Sequence, residues 1–267
     1  MPIARVNEIE IEYDIEGDGP SLVLIAGLGY ERWMWHRLVP GLAQSFQVIT
    51  YDNRGVGGSS VTDGPYSAQL LADDLAGLLD LLDIGKTAVL GHSMGGYIAQ
   101  AFALAYPEKV SKLILSATNF GGPNHIPVTQ EALAVLMDTT SDPVTRLRNG
   151  ILASCAQGFA EREPEFVQSW LDYRAAHPVD PQGYQAQMGI GLGLMAEAAC
   201  FEHKLANIEV PTLVISGSED KVVPPGNVAL LAAKLSDVQT AVIEDAGHFY
   251  VFEQPETAVT IITQFLQ

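Results

Sequence analysis

A serine at position 93 lies in a five-residue pattern that is typical of an activated nucleophile. The pattern is Gly91-His92-Ser93-Met94-Gly95. Such a serine sits on a sharp turn between a strand and a helix, and the strained backbone of that turn requires small neighbours. The turn exposes the hydroxyl, and the first N–H groups of the following helix point at the reacting atom. The pattern predicts acyl-transfer chemistry at Ser93, and a chance match in a loop is the alternative.

A serine hydroxyl is a poor nucleophile at neutral pH, so the predicted reaction requires a base. His248 directly follows the last predicted strand, and Gly247 precedes it. His92 neighbours the serine in sequence, but adjacent side chains diverge on a turn. The other histidines lie on predicted helices or in the middle of the chain: His36, His125, His177 and His203. His248 is therefore the predicted base.

A carboxylate must orient this histidine and stabilise its charged form. Asp220 follows a predicted strand, as Ser93 and His248 do, and ligands bind at the carboxyl ends of strands in open parallel sheets. The chain order serine, acid, histidine is also the one expected for this type of nucleophile turn. Glu219 and Asp245 are the competing carboxylates. We predict that Asp220 is the acid and that Glu219 is solvated.

The tetrahedral intermediate of acyl transfer needs two hydrogen-bond donors for its oxyanion. The first predicted donor is the backbone N–H of Met94, directly after the nucleophile. The second is the N–H of Leu28, in the glycine-containing loop Ala26-Gly27-Leu28-Gly29-Tyr30. Glycines let a backbone approach substrate closely. The alternative interpretation of this loop is an ordinary glycine turn.

Apolar patterning predicts the elements that must position these residues. Continuous apolar runs or alternation indicate strands, and apolar residues at helical spacing indicate helices. The predicted strands are residues 8–15, 22–25, 46–50, 86–90, 110–115, 212–216 and 239–243, and the predicted helices are 70–82, 95–106, 227–234 and 256–266. Such alternation implies a mostly parallel sheet with helices on both faces. Between the predicted strands 110–115 and 212–216 lies an insert with helical patterns and no convincing strand. It begins after a stretch rich in Gly, Pro and Asn.

The overall composition limits partners and compartment. The chain has 267 residues and a formal net charge of −18. It would repel nucleic acid and anionic membranes, so neither is a predicted partner, and solubility alone is an alternative reason for the acidity. Two cysteines are too few for a disulfide scaffold, and no basic segment followed by an apolar one opens the chain. We predict a cytoplasmic enzyme without a metal or other cofactor, because the histidines lack metal-ligand spacing.

Taken together, the motifs resemble those of the α/β-hydrolase superfamily from end to end, apart from the insert. The matching segments are Ala26-Gly27-Leu28-Gly29, residues 51–59, Gly91 to Gly96, Pro211 to Pro224, and Gly247-His248 with Glu253-Gln254-Pro255. The resemblance implies an α/β fold with an eight-stranded, mostly parallel sheet and helices on both faces. It also implies a core of residues 1–121 and 206–267, with residues 122–205 as a helical cap over the site.

Within the superfamily, the chain is most similar to esterases, enol-lactonases and carbon–carbon bond hydrolases. Members usually have His-Gly in the oxyanion loop, and this chain has Ala26-Gly27, so we expect an oxyanion hole of altered shape. Haloalkane dehalogenases and epoxide hydrolases use an aspartate nucleophile. Ser93 at that position argues against both activities.

The predicted function is hydrolysis of a small or medium carboxylic ester or lactone through an acyl-serine intermediate. Two alternatives remain: a carbon–carbon bond hydrolase of a β-diketone or ring-cleavage product, and a small-molecule receptor that keeps the triad. Tyr30 and Trp33 are predicted to contact the small-molecule substrate, with helix core as the alternative. Gly121-Gly122-Pro123 is interpreted either as a hinge of a closing cap or as an ordinary turn. The sequence leaves the oligomeric state open.

Overall fold

One mixed sheet organises the protein. The computed structural model describes residues 2–267, and within them the sheet has eight strands. In chain order the strands are β1 (Ile3–Val6), β2 (Ile9–Glu16), β3 (Ser21–Ile25), β4 (Gln47–Tyr51), β5 (Thr87–His92), β6 (Val110–Ser116), β7 (Thr212–Gly217) and β8 (Val238–Ile243). They are arranged in space as β1-β2-β4-β3-β5-β6-β7-β8.

The direction of the strands places the predicted site residues at one edge of the sheet. Strands β3 to β8 are parallel, while β2 runs antiparallel to β1 and β4. His92 at the end of β5 pairs with Ser116 at the end of β6, and Ser116 pairs with Ile215 of β7. The carboxyl ends of these strands therefore lie side by side, as parallel pairing requires. The loops that follow them carry the predicted site.

Helices cover both faces of the sheet. They are α1 (Val39–Leu42), α2 (Ala68–Leu81), α3 (Met94–Ala105), α4 (Gln130–Leu136), α5 (Pro143–Ser154), α6 (Phe159–Arg162), α7 (Pro164–Ala176), α8 (Pro181–Gly193), α9 (Gly226–Ala232), α10 (Tyr250–Glu253) and α11 (Pro255–Leu266). Short 3₁₀ turns lie at Arg32–Trp35, Pro107–Lys109 and Leu205–Asn207. Among the described residues, no helix is long and apolar enough to cross a membrane.

Alternation along the buried strands divides the core in two. Val23 and Ile25 of β3 point to the face covered by α2, α3 and α9, whereas Leu22 and Leu24 point to the face covered by α1 and α11. All four side chains are fully buried. A continuously apolar strand is what a parallel sheet with two covered faces requires. The eight-stranded, mostly parallel sheet predicted from the sequence is confirmed.

The insert between β6 and β7 contains helices α4 to α8 and, in the described residues 117–211, no strand. Its sequence sets the helix starts. Asp142 and Asp180 accept backbone hydrogen bonds at the starts of α5 and α8, and each is followed by a proline in the first turn. Acidic N-caps and a first-turn proline are standard helix-start signals. We retain the proposed division into a core of residues 1–121 and 206–267 and a cap of residues 122–205.

Three short elements were not predicted from the sequence. They are strand β1 at the edge of the sheet and the single-turn helices α1 and α10, each of four residues. None is long enough to show a clear period. The other predicted elements are present, with ends that differ by a few residues.

Candidate active site

Ser93 occupies the turn that the sequence predicts. Strand β5 ends at His92, α3 begins at Met94, and Ser93 between them has φ 55° and ψ −119°. A Cβ on Gly95 would lie 2.2 Å from the carbonyl oxygen of Ile25, and a Cβ on Gly91 would lie 2.2 Å from that of Gly95. Only glycine fits at these positions. The Ser93 side chain is partly exposed at the top of the sheet.

His248 and Asp220 form a buried pair. Their side chains follow β8 and β7, and His248 Nδ1 lies 2.8 Å from Asp220 Oδ2. The two side chains are 5% and 0% exposed. The other carboxylate oxygen, Oδ1, accepts the backbone N–H groups of Val222 at 2.9 Å and Val223 at 2.8 Å. Because both oxygens are occupied, Asp220 is fixed in one orientation toward the imidazole.

The competing carboxylates lie elsewhere. Glu219 Oε2 accepts the backbone N–H of Gln157 at 2.9 Å, so this side chain contacts the cap and is not simply solvated as predicted. Asp245 is exposed. The structure thus brings Asp220 to His248 and gives Glu219 and Asp245 other surroundings.

Ser93 and His248 approach the same edge of the sheet. The ring of His92, the residue before the serine, lies 5.0 Å from the His248 ring between centroids. Among the described residues, no hydrogen bond joins the Ser93 hydroxyl to His248. Hydrogen bonds between a nucleophile and its base commonly tighten only when substrate binds.

A second buried polar network lies behind this pair and was not foreseen. His92 Nδ1 is 2.8 Å from Ser116 Oγ, which is 2.5 Å from the hydroxyl of Tyr250. Burial, reinforced by the neighbouring His248, lowers the pKa of His92 well below its ordinary value. His92 is therefore neutral at physiological pH, and its ring packs as part of the support for the site. The only hint in the sequence is that Ser116 ends the strand next to β5.

The two predicted oxyanion donors flank Ser93. Met94 is the first residue of α3, and the first N–H groups of a helix have no acceptor within it. The N–H of Leu28 makes no hydrogen bond among the described residues. A Cβ on Gly27 would lie 3.3 Å from Ser93 Cβ, so the loop passes directly beside the nucleophile. Both amides thus lie close to Ser93 without a hydrogen-bond acceptor among the described residues.

Ser93 opens into a small apolar cavity of about 260 Å³. None of the ten residues that line it carries a charged side chain. They are Leu28, Ser93, Met94, Tyr97, Thr118, Gln187, Met188, Gly191, Leu192 and Val223. Residues of the cap thus form one wall, opposite the sheet.

Tyr30 and Trp33, the predicted substrate contacts, are not among these lining residues. Tyr30 packs against Phe249, with ring centroids 5.2 Å apart. Trp33 stacks between His36 at 4.3 Å and Tyr173 at 4.1 Å. Trp33 borders a larger outer groove of about 710 Å³, which is rich in acidic side chains and does not include Ser93. The role of Tyr30 and Trp33 in substrate binding stays a prediction, and neither residue lines the Ser93 cavity.

Two side chains near the site escaped sequence analysis. Gln187 of α8 is fully buried, accepts the N–H of Gly29 at 2.9 Å and donates to the carbonyl of Arg54 at 2.8 Å. Glu253 accepts the N–H of Gly247 at 3.0 Å and that of Ala156 at 2.8 Å. The Gln187 contacts and the Glu253–Ala156 contact have no local sequence signal, because they join distant parts of the chain.

The chain matches a known protein family over most of its length. The sequence profile of the family described as alpha/beta hydrolase fold matches residues 20–255. The chain is 33% identical over 248 residues to a poly(3-hydroxyalkanoate) depolymerase of Ectopseudomonas oleovorans, which covers 92% of this chain and 84% of that protein. It is 29% identical over 266 residues to a 2-hydroxy-6-oxononadienedioate/2-hydroxy-6-oxononatrienedioate hydrolase of Pseudomonas putida, covering 97% and 92%.

A solved structure is similar over its whole length. The enol-lactonase of Burkholderia xenovorans LB400 matches with a TM-score of 0.83 and 28% identity, covering 99% of both chains. The chain belongs to the α/β-hydrolase fold family. Its predicted membership in the hydrolases is confirmed, and the bond that it cleaves is a separate question.

Proposed function

We propose that this protein is a serine hydrolase that cleaves a small or medium, neutral carboxylic ester or lactone. The observation that carries the proposal is the surroundings of Ser93. The serine and two available backbone donors, those of Leu28 and Met94, border one cavity without a charged lining residue. A buried His–Asp pair lies at the same sheet edge.

The proposed reaction has two halves. His248 Nε2 accepts the Ser93 proton as Oγ attacks the carbonyl carbon, and the resulting oxyanion accepts hydrogen bonds from Leu28 and Met94. The bond to the leaving oxygen then breaks, and His248 donates the proton to the alcohol. Water then gives a proton to His248 as it attacks the acyl carbon. The bond from that carbon to Ser93 Oγ breaks, His248 returns the proton to Oγ, and the acid is released.

Asp220 orients the base. Its contact with Nδ1 holds the imidazole tautomer in which Nε2 accepts a proton, and its charge stabilises the imidazolium that forms. The two backbone bonds to Asp220 prevent the carboxylate from turning away. The arrangement therefore supplies nucleophile, base and orienting acid.

The apolar lining favours an ester or lactone over a dicarboxylate. The relative from Pseudomonas putida is named for a substrate with two carboxylates, and burying such a dianion requires cationic partners. The ten lining residues supply none. The names of the depolymerase and the enol-lactonase refer to ester-linked compounds and support the same choice.

The test is a side-by-side assay of p-nitrophenyl esters, lactones, β-diketones and a ring-cleavage dienoate. We expect ester or lactone turnover, and loss of several powers of ten in rate in Ser93→Ala. The control is Ser169→Ala, at an exposed serine of α7, which keeps the wild-type rate. Retention of more than about a tenth of the rate in Ser93→Ala would remove Ser93 from the mechanism. A single turnover with every compound would instead support the receptor alternative.

A further inference from the structure

The oxyanion loop, residues 26–30, is held from the cap as well as from the sheet. Both backbone groups of Gly29, next to the proposed donor Leu28, bond to cap side chains. Its N–H donates to Gln187 Oε1 at 2.9 Å, and its carbonyl accepts from Arg174 Nη1 at 2.9 Å. On the sheet side, the carbonyl of Ala26 accepts from Asn53 at 3.1 Å. Ala26 itself has no polar side chain to add to this support.

Gln187 is a rigid support. It is fully buried, and its amide nitrogen donates to the carbonyl of Arg54 at 2.8 Å. The guanidinium of Arg54 is in turn paired with the buried Asp74 at 2.7 Å. Every bond in this chain is shielded from water, so the position of Gln187 is determined from both ends.

Arg174 supports the same loop from a second cap helix, α7. Its guanidinium lies over the ring of Tyr30, 4.6 Å from the centroid. Tyr30 packs against Phe249, the residue after His248. Arg174 thus contacts both the carbonyl of Gly29 and the ring of Tyr30, which packs the loop against Phe249.

We propose that Gln187 and Arg174 are positioning residues that aim the Leu28 N–H at the oxyanion. The inference rests on the proposed function. Removing either side chain leaves Leu28 present but less firmly held, because Gln187 and Arg174 each supply one of the two hydrogen bonds from the cap to Gly29. A misplaced donor stabilises the transition state less, whereas binding of the substrate changes little. We therefore expect kcat to fall and KM to change little.

The first experiment compares Gln187→Met with Gln187→Glu and with Gln100→Met. Methionine has a similar volume but neither hydrogen-bonding group, whereas glutamate keeps an acceptor for Gly29. Gln100 is the matched control, since it is also fully buried and donates to two backbone carbonyls away from the loop. With p-nitrophenyl butyrate, we expect kcat of Gln187→Met to fall about 10- to 100-fold, and Gln187→Glu to retain more. Gln100→Met lowers the melting temperature to a similar extent and keeps its kcat.

A second pair guards against a folding defect, because Arg174 is partly exposed and tolerates truncation better than Gln187. Arg174→Met lowers kcat, and Arg174→Lys, which can still donate to the Gly29 carbonyl, restores part of it. In every variant the affinity for an alkyl trifluoromethyl ketone, which forms an oxyanion on Ser93, falls in parallel with kcat/KM. Inhibition by butyrate, the product, is unchanged.

The outcomes separate the two proposals. No ester turnover by the wild type, or none that depends on Ser93, contradicts the proposed function itself. Ser93-dependent turnover with unchanged kcat and ketone affinity in both Gln187→Met and Arg174→Met overturns the positioning role. The positioning role is also overturned if Gln100→Met and Gln187→Met lose the same amount of kcat at the same loss of melting temperature. The loss of kcat would then come from general destabilisation.

Discussion

Ser93 has a positive φ of 55°, a backbone conformation that residues other than glycine rarely adopt. Such a conformation costs about 1–3 kcal/mol and persists only where the surroundings determine it. Here the N–H of Ser93 donates to the carbonyl of Ser116 at 2.8 Å, and its carbonyl accepts from Thr118 at 2.8 Å. The end of strand β6 and the segment directly after it thus hold the peptide groups on both sides of the serine.

At the same scale, the acid assignment can be tested by three isosteric changes. Asp220→Asn should lower kcat about a thousandfold or more, because the amide cannot hold the productive tautomer of His248. Glu219→Gln and Asp245→Asn should remain within severalfold of the wild type, since neither side chain contacts the imidazole. The measurement is steady-state ester hydrolysis. If Asp245→Asn proved the most damaging, the assignment of Asp220 would be wrong.

Glu253 predicts a pH-dependent stability. Burial raises its pKa to about 7, whereas an unfolded glutamate ionises at about pH 4.3. Between these values the folded state holds a proton that the unfolded state releases, so stability falls as the pH rises through this window. We therefore expect the wild type to lose stability relative to Glu253→Gln between about pH 5 and about pH 8.

Urea unfolding of both proteins at the two pH values measures this difference. Glu256→Gln, at an exposed glutamate nearby, serves as control and should show no pH-dependent difference from the wild type. If the difference in unfolding free energy between the wild type and Glu253→Gln were the same at both pH values, Glu253 would already be ionised at the lower pH.

Among the elements, α8 connects the cap to the substrate pocket. Gln187, Met188, Gly191 and Leu192 lie on one face of this helix, as spacings of three to four residues dictate, and all line the cavity. Glycine also lets the helix approach the core. A Cβ on Gly183 would lie 2.0 Å from the carbonyl oxygen of Gly55.

Gly191 and Gly193 make a matched pair for testing substrate size. A Cβ at either position meets nothing within 4 Å, but only Gly191 lines the pocket. We expect Gly191→Leu to lower kcat/KM for p-nitrophenyl hexanoate relative to acetate by about tenfold, because the added side chain fills space that the longer acyl group needs. Gly193→Leu should leave this ratio unchanged. An equal ratio in both variants would place the acyl group elsewhere.

In the whole molecule, the cap is fixed to the base-bearing loop at one end. The N–H of His248 donates to the carbonyl of Ser154 at 2.7 Å, and Glu253 joins Gly247 to Ala156. The glycines considered as a hinge are packed: the N–H of Gly122 donates to the carbonyl of Leu194 at 2.7 Å. In contrast, Ala132 is the one buried residue of α4. We therefore expect local motion to be greatest in α4, and we do not expect the cap to move as a rigid unit.

Hydrogen exchange can test this distribution. Backbone amides of α4 should exchange much faster than those of α8 in the free protein, because few buried contacts oppose local opening. A covalent serine inhibitor should raise protection in α4, which begins where Thr129 bonds to Lys221, close to Val223 of the pocket wall. Uniform protection across α4 to α8 in both states would instead indicate a static cap.

The sequence alone determined the sheet, the nucleophile turn and the serine–acid–histidine order. These features are encoded locally: apolar runs define strands β3, β5 and β7, and glycines beside Ser93 are required by contacts at 2.2 Å. Chain order then assigns each reacting residue to a strand end. Local signals of this kind can be recognised without knowledge of distant contacts.

Only the tertiary structure decided which side chains support and surround the site. Gln187 and Gly29 are 158 positions apart, and Ala156 and Glu253 are 97 apart, so no spacing rule relates them. For the same reason, Tyr30 and Trp33 could be named from the sequence as aromatic residues near the site but not placed. The direction of such a side chain depends on what packs against it. Here Tyr30 and Trp33 pack against residues of both the core and the cap, which are distant in sequence.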